Sequence, residues 1–513
     1  MPSIDQRWWA LLVVVFGSLA LSSGHFENPD AHLRLSQAFS LLEGRGFELG
    51  DGVGNPLHGN IAIAPDGRRF SVYNPGQIIL FVPAAIVGEW SATSLGLHPH
   101  YAAELWASFL GVVFHFLTGV MVYSVARRTN RSRQSSMFCA LVFAFATFNL
   151  PSSRDGYEHA YEALAVLSSI WVALGCQDST TARDWRALSA GVVLGVGLLF
   201  RNTAILGLPA VLIVLSSMRT RIIAVVGMLP ALAVIAFYNW SRFGSPIETG
   251  YRQAWHAANP ALLSESGFSL SSLPMNAAQL WVSPGKGMLW FSPVLLLALV
   301  GAKASARSQP RLFAAVATSC AAYTALYAAN FAWHGSAWCW GPRYLIPLTP
   351  LLVLLLPWRR TRFGARLVTI FLAAGSTVLQ TMAILVNYKR HLLELLIEMP
   401  TAFRSGAVFS EVRLSPVVAL PRQLVHQFHV LNDSAPLYLF HGAGRWRNES
   451  RPVGISTMLE ESIDLNAIDL WWIRFLYFPI SEEGRLLVLG CGLMATTGLL
   501  IAVSRVYDVR APR

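Results

Sequence analysis

Asp30 stands just beyond the first apolar run of the chain, in HFENPDAHLRLSQAFSLLEG. A carboxylate held at a membrane surface can take a proton from an acceptor hydroxyl as a general base. Glu27, three residues earlier, is a second carboxylate for the same neighbourhood. The residues that follow carry helical apolar spacing (Leu33, Leu35, Phe39, Leu41, Leu42), so Asp30 also stands where a helix N-cap would. A second acidic turn, SSRDGYEH over 152–159, offers Asp155 and Glu158. Asp155 either caps the next helix or acts as a second catalytic carboxylate that orients an acceptor or helps to hold a cation, and Glu158 could share that role.

Three cations have types and surroundings suited to an anion. Arg201 interrupts the apolar stretch GLLFRNTAILGLP. A guanidinium at the edge of hydrocarbon either snorkels to water or finds an anionic partner, and a lipid phosphate suits its bidentate geometry. Lys286 lies between glycines in SPGKG at the start of an apolar run, where backbone N–H groups and a lysine could hold an anion or simply form a turn. Arg343 closes WHGSAWCWGPRY, which also holds His334 and Trp338. Tryptophans at an interface are normally anchors, but three in one short loop with His and Arg also suit sugar stacking and phosphate contact.

These residues need elements that bring them to one face. The chain has 513 residues, 54% hydrophobic and 13% charged. Soluble domains carry about 25% charged residues, so this is an all-α polytopic membrane protein. Apolar segments at 8–24, 101–126, 136–151, 158–176, 187–201, 202–218, 221–240, 287–302, 312–331, 343–357, 366–387 and 484–504 predict about twelve spans of roughly 20 residues each. Alternating their ends between two faces collects the short Lys/Arg-rich loops, at 127–133, 183–186, 219–221, 303–311, 359–366 and 505–510, on one side. That side is cytoplasmic, as are both termini, and every residue singled out above falls on the outer side. The first run is read as a retained span rather than a cleaved signal, because no A-x-A site follows it.

The run 73–90 is apolar enough to cross, but counting it as a span would invert every later loop. It is therefore expected to lie at the outer interface, within an outer segment 24–100 that holds helices near 31–43 and 76–90. A transmembrane domain over 1–387 is expected, then an outer segment over 388–483 ending in the aromatic LWWIRFLYF, and a last span with cytoplasmic tail over 484–513. The formal charge of +11 is dispersed over the cytoplasmic loops, which argues against nucleic acid as a partner. The five cysteines show no CxxC spacing and predict neither a disulfide framework nor a cysteine metal site.

In order and spacing, these pieces resemble the GT-C superfamily of integral-membrane glycosyltransferases. The resemblance is to bacterial relatives of the dolichyl-phosphate-mannose protein mannosyltransferases and to the aminoarabinose lipid A transferases. It is carried over roughly 8–390 by Asp30 with AHLRLSQAFSLLEGRGFEL, GRRFSVYNPGQIILFVPAAIVG, Arg201 after an apolar span, NWSRFGSPIETGY, SPGKGMLWFSP and WGPRYLIPLTPLL. The resemblance implies a GT-C-like bundle, a polyprenyl-phosphate-linked sugar as donor, an outward-facing site, and Asp30 as the catalytic residue. Many relatives have Asp-Glu where this chain has Asp30-Ala31. Some have Lys-Pro-Pro where this chain has Tyr73-Asn74-Pro75-Gly76. The latter departure places Tyr73 on the sugar or acceptor side and shifts the expected phosphate contacts to Arg201, Lys286 and Arg343.

The sequence thus reads as an inverting glycosyltransferase of the inner (plasma) membrane, with Asp30 and Asp155 catalytic. Arg201, Lys286 and Arg343 would hold the donor phosphate, and Glu27, Glu158, His334, Trp338 and Tyr73 the acceptor or sugar. Its expected partners are the lipid-linked donor, membrane lipid, and a glycan, lipid or protein acceptor. No cofactor is required; a divalent metal beside the carboxylates is left open. Two other classes stay open: a transporter or flippase for lipid-linked saccharides, which would place charges near mid-membrane, and an inactive assembly protein that keeps the scaffold.

Overall fold

The computed structural model describes residues 6–26, 28–50, 53, 60–95, 97–177, 183–258, 267–330, 332–357, 363–433, 437–438, 455–478 and 482–508. The chain is a helical bundle. Among the described residues, six helices are long and apolar enough to cross a membrane: Pro75–Leu95, Pro99–Arg128, Met218–Phe243, Pro310–Ala329, Arg366–Leu385 and Glu482–Val506. Five of them fall on expected spans. The sixth, Pro75–Leu95, is the run expected to lie at the interface. It forms one continuous helix with Pro83 inside it and meets the length and composition of a span. Other expected spans are shorter. The run 202–218 opens with a 3₁₀ turn over Asn202–Gly207 before the short helix Leu208–Val214, and 343–357 does the same over Arg343–Leu348 before Thr349–Val353. Pro209, Pro347 and Pro350 each withdraw a backbone donor, which divides these apolar runs.

Helix α1 (Gln6–Leu21) leads into helix α2 (Pro29–Leu42). A two-stranded antiparallel hairpin follows, β1 (Ile61–Ile63) and β2 (Arg69–Ser71), with Ala62 opposite Phe70. This hairpin departs from an all-α chain. Its signal is the Asp66-Gly67 turn between β-branched and aromatic residues, with Gly67 at φ 86° as such turns require. The hairpin packs on α2 through Leu33, Ala62, Phe70 and Tyr73.

Helices α3 (Pro75–Leu95) and α4 (Pro99–Arg128) pair closely, because Gly88 lets the backbone of Ala103 approach. Helix α5 (Arg133–Ala146) and the short α6 (Asn149–Arg154) precede α7 (His159–Leu174), which packs between α4 and α8 (Arg183–Phe200). Two short helical stretches on, α8 meets the long helix Met218–Phe243 along Gly191 and Gly227. The main core runs from α4, α5, α7 and α8 to the 343–356 region.

The first and last helices are neighbours: Ala20 packs with Ala495 and Leu499. The aromatic LWWIRFLYF docks on the C-terminal end of α1, where Trp471 N–H donates to the Ser22 carbonyl at 3.0 Å and Trp472 Nε1 to that of Ala20 at 3.1 Å.

Candidate active site

Asn28, not Asp30, caps α2. The Asn28 side chain accepts from the Asp30 N–H at 3.0 Å, with Pro29 opening the helix. The Asp30 carboxylate is thereby released from capping. It stands in the first turn, where the helix dipole favours a negative charge. Its Oδ1 accepts from Asn60 Nδ2 at 2.7 Å, and its Oδ2 lies 3.6 Å from Arg343 Nη1. Asn60 reaches it because it leads directly into β1. Tyr73, beyond β2, also hydrogen-bonds Asp30. Burial, with that carboxylate beside it, holds the Tyr73 phenol well above its ordinary range.

One turn along α2, Arg34 is almost wholly buried. Its Nη2 donates to Glu158 at 2.6 Å and its guanidinium lies 3.8 Å from the centre of the Tyr73 ring. Glu158 also accepts from Arg201 Nη1, so one carboxylate is shared by two arginines. Arg201 is occupied on its other edge too: Nε donates to Thr203 at 2.9 Å, and Nη2 to the Tyr327 hydroxyl at 3.2 Å. The expected phosphate ligand therefore sits in an ion-pair network, and Glu158 holds cations rather than facing an acceptor.

Arg343 is different. It packs 4.4 Å from the centre of the Tyr157 ring, and its Nε is buried without a hydrogen-bond partner among the described residues. Its loop reaches Asp30 through Gly335 and Gly341 at φ 65° each and Ser336 at φ 87°, a backbone region that costs a serine energy and persists only under tight constraint.

Lys286 supplies that constraint. Its Nζ donates to the carbonyls of Cys339 at 2.5 Å, Ala337 at 3.4 Å and Gly341 at 3.4 Å, with 1% of the residue exposed. It clamps the loop and presents no donor to a phosphate; burial lowers its pKa. Tyr388 clamps from the other side, its hydroxyl shared between the Trp338 carbonyl at 2.9 Å and Asp155 Oδ2 at 3.1 Å. Asp155 does not cap α7. It lies 3.8 Å from Lys389 Nζ, and burial raises its pKa while Lys389 opposes the rise. Asp155 thus joins the transmembrane body to the start of the 388–483 segment, in the helix Lys389–Glu398.

The three loop tryptophans do not form one platform. Trp340 is fully buried and donates to Gln380 at 3.2 Å, and Trp338 stacks on Phe403 at 5.9 Å. His334 stacks on Phe409 at 4.6 Å, and burial lowers its pKa to about 4. Glu27 lies outside the described residues.

The structure therefore brings together Asp30, Tyr73 and Arg343, beside the pair-sharing set Arg34, Glu158 and Arg201. Burial holds the Tyr157 phenol well above its ordinary range, opposed by Arg343 beside its ring. Lys286, Asp155, Trp338 and His334 belong to the loop support. Arg34, Asn60, Tyr157 and Tyr327 are additions to the expected set. Asp30 faces Arg343 and Asp155 faces Lys389, and among the described residues no three His, Cys, Asp or Glu side chains group together.

Two deep polar groups find local partners, although Glu162 Oε2 makes no hydrogen bond among the described residues and lies 3.6 Å from Arg201 Nε. His115 bonds the Ala144 carbonyl at 2.9 Å, and Glu162 accepts from Tyr323 at 2.8 Å and Thr203 at 2.9 Å.

No family model matches the chain, and no curated protein matches it either. Among solved structures, it is similar to the oligosaccharyltransferase of Archaeoglobus fulgidus. The apo form is 11% identical over 81% of this chain and 61% of that one, with a TM-score of 0.48. The complex with an inhibitory peptide and a dolichol-phosphate is 14% identical over 81% and 61%, with a TM-score of 0.40. The form tethered to an acceptor peptide is 13% identical over 83% and 57%, with a TM-score of 0.45. The chain thus spans about three fifths of the length of the structures it matches.

Proposed function

We propose that this protein is a membrane glycosyltransferase that moves a sugar from a polyprenyl-phosphate-linked donor to an acceptor on the outer face of the inner membrane. The observation that carries the reading is the Asp30 carboxylate, freed from capping by Asn28, fixed by Asn60 and facing Arg343. Asp30 takes the proton of the acceptor hydroxyl or amine. The acceptor then attacks the anomeric carbon, and the carbon–oxygen bond to the lipid phosphate breaks with inversion. Arg343, whose Nε has no other hydrogen-bond partner among the described residues, stabilises the departing phosphate, as a preorganised cation does for a developing anion. Arg201 and Arg34 act around it, held by Glu158.

The local hydrogen bond of His115 to the Ala144 carbonyl favours this reading over transport, which uses ionisable groups along a path through the bilayer. The test is release of polyprenyl phosphate from a radiolabelled polyprenyl-phosphate sugar by the purified protein in lipid vesicles, with membrane extract as acceptor source. Release by the wild type and none by Asp30→Asn is expected. Equal release by both overturns the reading.

A further inference from the structure

Lys286 and Cys339 meet in the interior of the loop clamp. The amine Nζ lies 3.1 Å from the Cys339 Sγ, and the two residues are 1% and 2% exposed. Among the described residues, every other hydrogen bond of that amine goes to a backbone carbonyl, of Ala337, Cys339 and Gly341, so the thiol is its one oxidisable partner there. Burial lowers the amine's pKa, which favours the neutral form that carries a reactive lone pair. The thiol is held in place as well, against the carbonyls of Ser336 at 3.2 Å and Gly335 at 3.4 Å. All five cysteines are unbridged, so no disulfide competes for Cys339.

We infer that Lys286 and Cys339 form an oxidative cross-link in which one oxygen atom joins nitrogen to sulfur. The oxidant is dioxygen, which dissolves readily in apolar surroundings. The balance is one thiol, one neutral amine and one dioxygen giving one N–O–S bridge and one water. The S–H bond and one N–H bond break, and an N–O and an O–S bond form. Sulfur and nitrogen each lose two electrons, and the four together reduce dioxygen. If the amine begins as ammonium, its extra proton leaves to solvent. A reductant reverses the step to thiol and amine, as it does for the early rungs of thiol oxidation.

The bridge would tie the SPGKG turn covalently to the loop that ends in Arg343. It would replace a polar clamp with a bond and fix the approach of Arg343 to Asp30. Cys139 supplies an internal contrast: its sulfur lies 3.5 Å from a guanidinium nitrogen, Arg131 Nη1, which stays protonated and has no lone pair to oxidise.

The test uses the intact full-length protein in detergent, purified in air and divided into air-exposed, peroxide-treated and dithiothreitol-treated portions. Each is denatured, alkylated, digested and read by mass spectrometry. The expected result is a peptide pair joining Lys286 to Cys339, heavier than the sum of the free peptides by one oxygen less two hydrogens, about 14 Da. It should be present in the oxidised portions, absent after dithiothreitol, and absent from Lys286→Arg. Full alkylation of Cys339 in every portion, or Cys339 carrying oxygen with Lys286 still free, overturns the inference. Neither outcome depends on whether the protein transfers a sugar.

Discussion

Arg343 Nη1 stands 3.6 Å from Asp30 Oδ2, two side chains 313 positions apart brought together by a capped helix and a clamped loop. The distance is that of a loose pair, with room for Asp30 to act as a base and for Arg343 to turn towards a phosphate. Asp30→Asn keeps the shape and the Asn60 contact but removes the base. Its transfer rate should fall by about 10²–10⁴, the usual contribution of general-base catalysis. The thermal midpoint should stay within a few degrees. A rate within threefold of wild type in the vesicle assay would remove Asp30 from the chemistry.

Glu158 is the structural carboxylate of the region. Its side chain is 4% exposed and is held by Arg34 at 2.6 Å and by Arg201. Glu158→Gln leaves two buried guanidiniums with their shared anion gone, a change that costs about 3–5 kcal/mol at a buried pair. Glu43→Gln breaks the exposed pair with Arg45 and should cost under about 1 kcal/mol. Denaturant unfolding in detergent compares the two. Similar losses would show that the buried network contributes no more than a surface pair.

Part of this site was legible in the residues. Asp30 stood out as a carboxylate just past an apolar run, and Arg343 as a cation in an aromatic loop. Arg34 was readable in principle, since it follows Asp30 by four residues on the same helix and so shares its face. Asn60 was not, because its reach depends on a hairpin whose only local mark is Asp66-Gly67. Lys286 has partners that its local sequence does not show, for a physical reason. A lysine between glycines reads as an anion site, but its partners are carbonyls some fifty positions later, and no local pattern carries that pairing. The outer placement of 73–90 rested on balancing basic loops. The helix Pro75–Leu95 shows that length and composition permit a crossing there.

His25 gives a pH signature. Burial, with Arg474 next, lowers its pKa from 6.5 to about 4, although Asp469, whose Oδ1 accepts from His25 Nε2 at 2.9 Å, pulls the other way. A depressed base contributes stability that is present above its unfolded pKa and is lost as pH falls towards the folded one. The window is therefore pH 6.5 down to about 4, and the loss about 3 kcal/mol. Asp155, with its pKa raised, works in the opposite sense: its contribution is present at acid pH and lost as pH rises. Asp469, whose pKa is lowered, loses its contribution only below the ordinary aspartate range. Comparing wild type with His25→Gln cancels the Asp155 contribution, while that of Asp469, which His25 helps to lower, changes below the pH window compared. The difference in stability between them should shrink by about 3 kcal/mol from pH 7 to pH 4; a pH-independent difference would contradict the buried neutral state.

Lys286→Met separates a clamp from a ligand. The methionine keeps the apolar stem but leaves the carbonyls of Ala337, Cys339 and Gly341 without their shared donor. Buried acceptors left unpaired cost about 1–3 kcal/mol each, so the loop should loosen before any lipid is added. Trp338 and Trp340 report on this directly, since Trp340 is fully buried beside Phe291 at 4.7 Å. Tryptophan emission should shift to the red in the lipid-free variant, and proteolysis should reach 332–344. Binding of polyprenyl phosphate should weaken by about the amount that Arg343→Met alone produces, because Lys286 acts through the loop that carries Arg343. If emission and proteolysis stayed as in the wild type while binding fell, Lys286 would be touching the phosphate itself, and the clamp would be the wrong account of it.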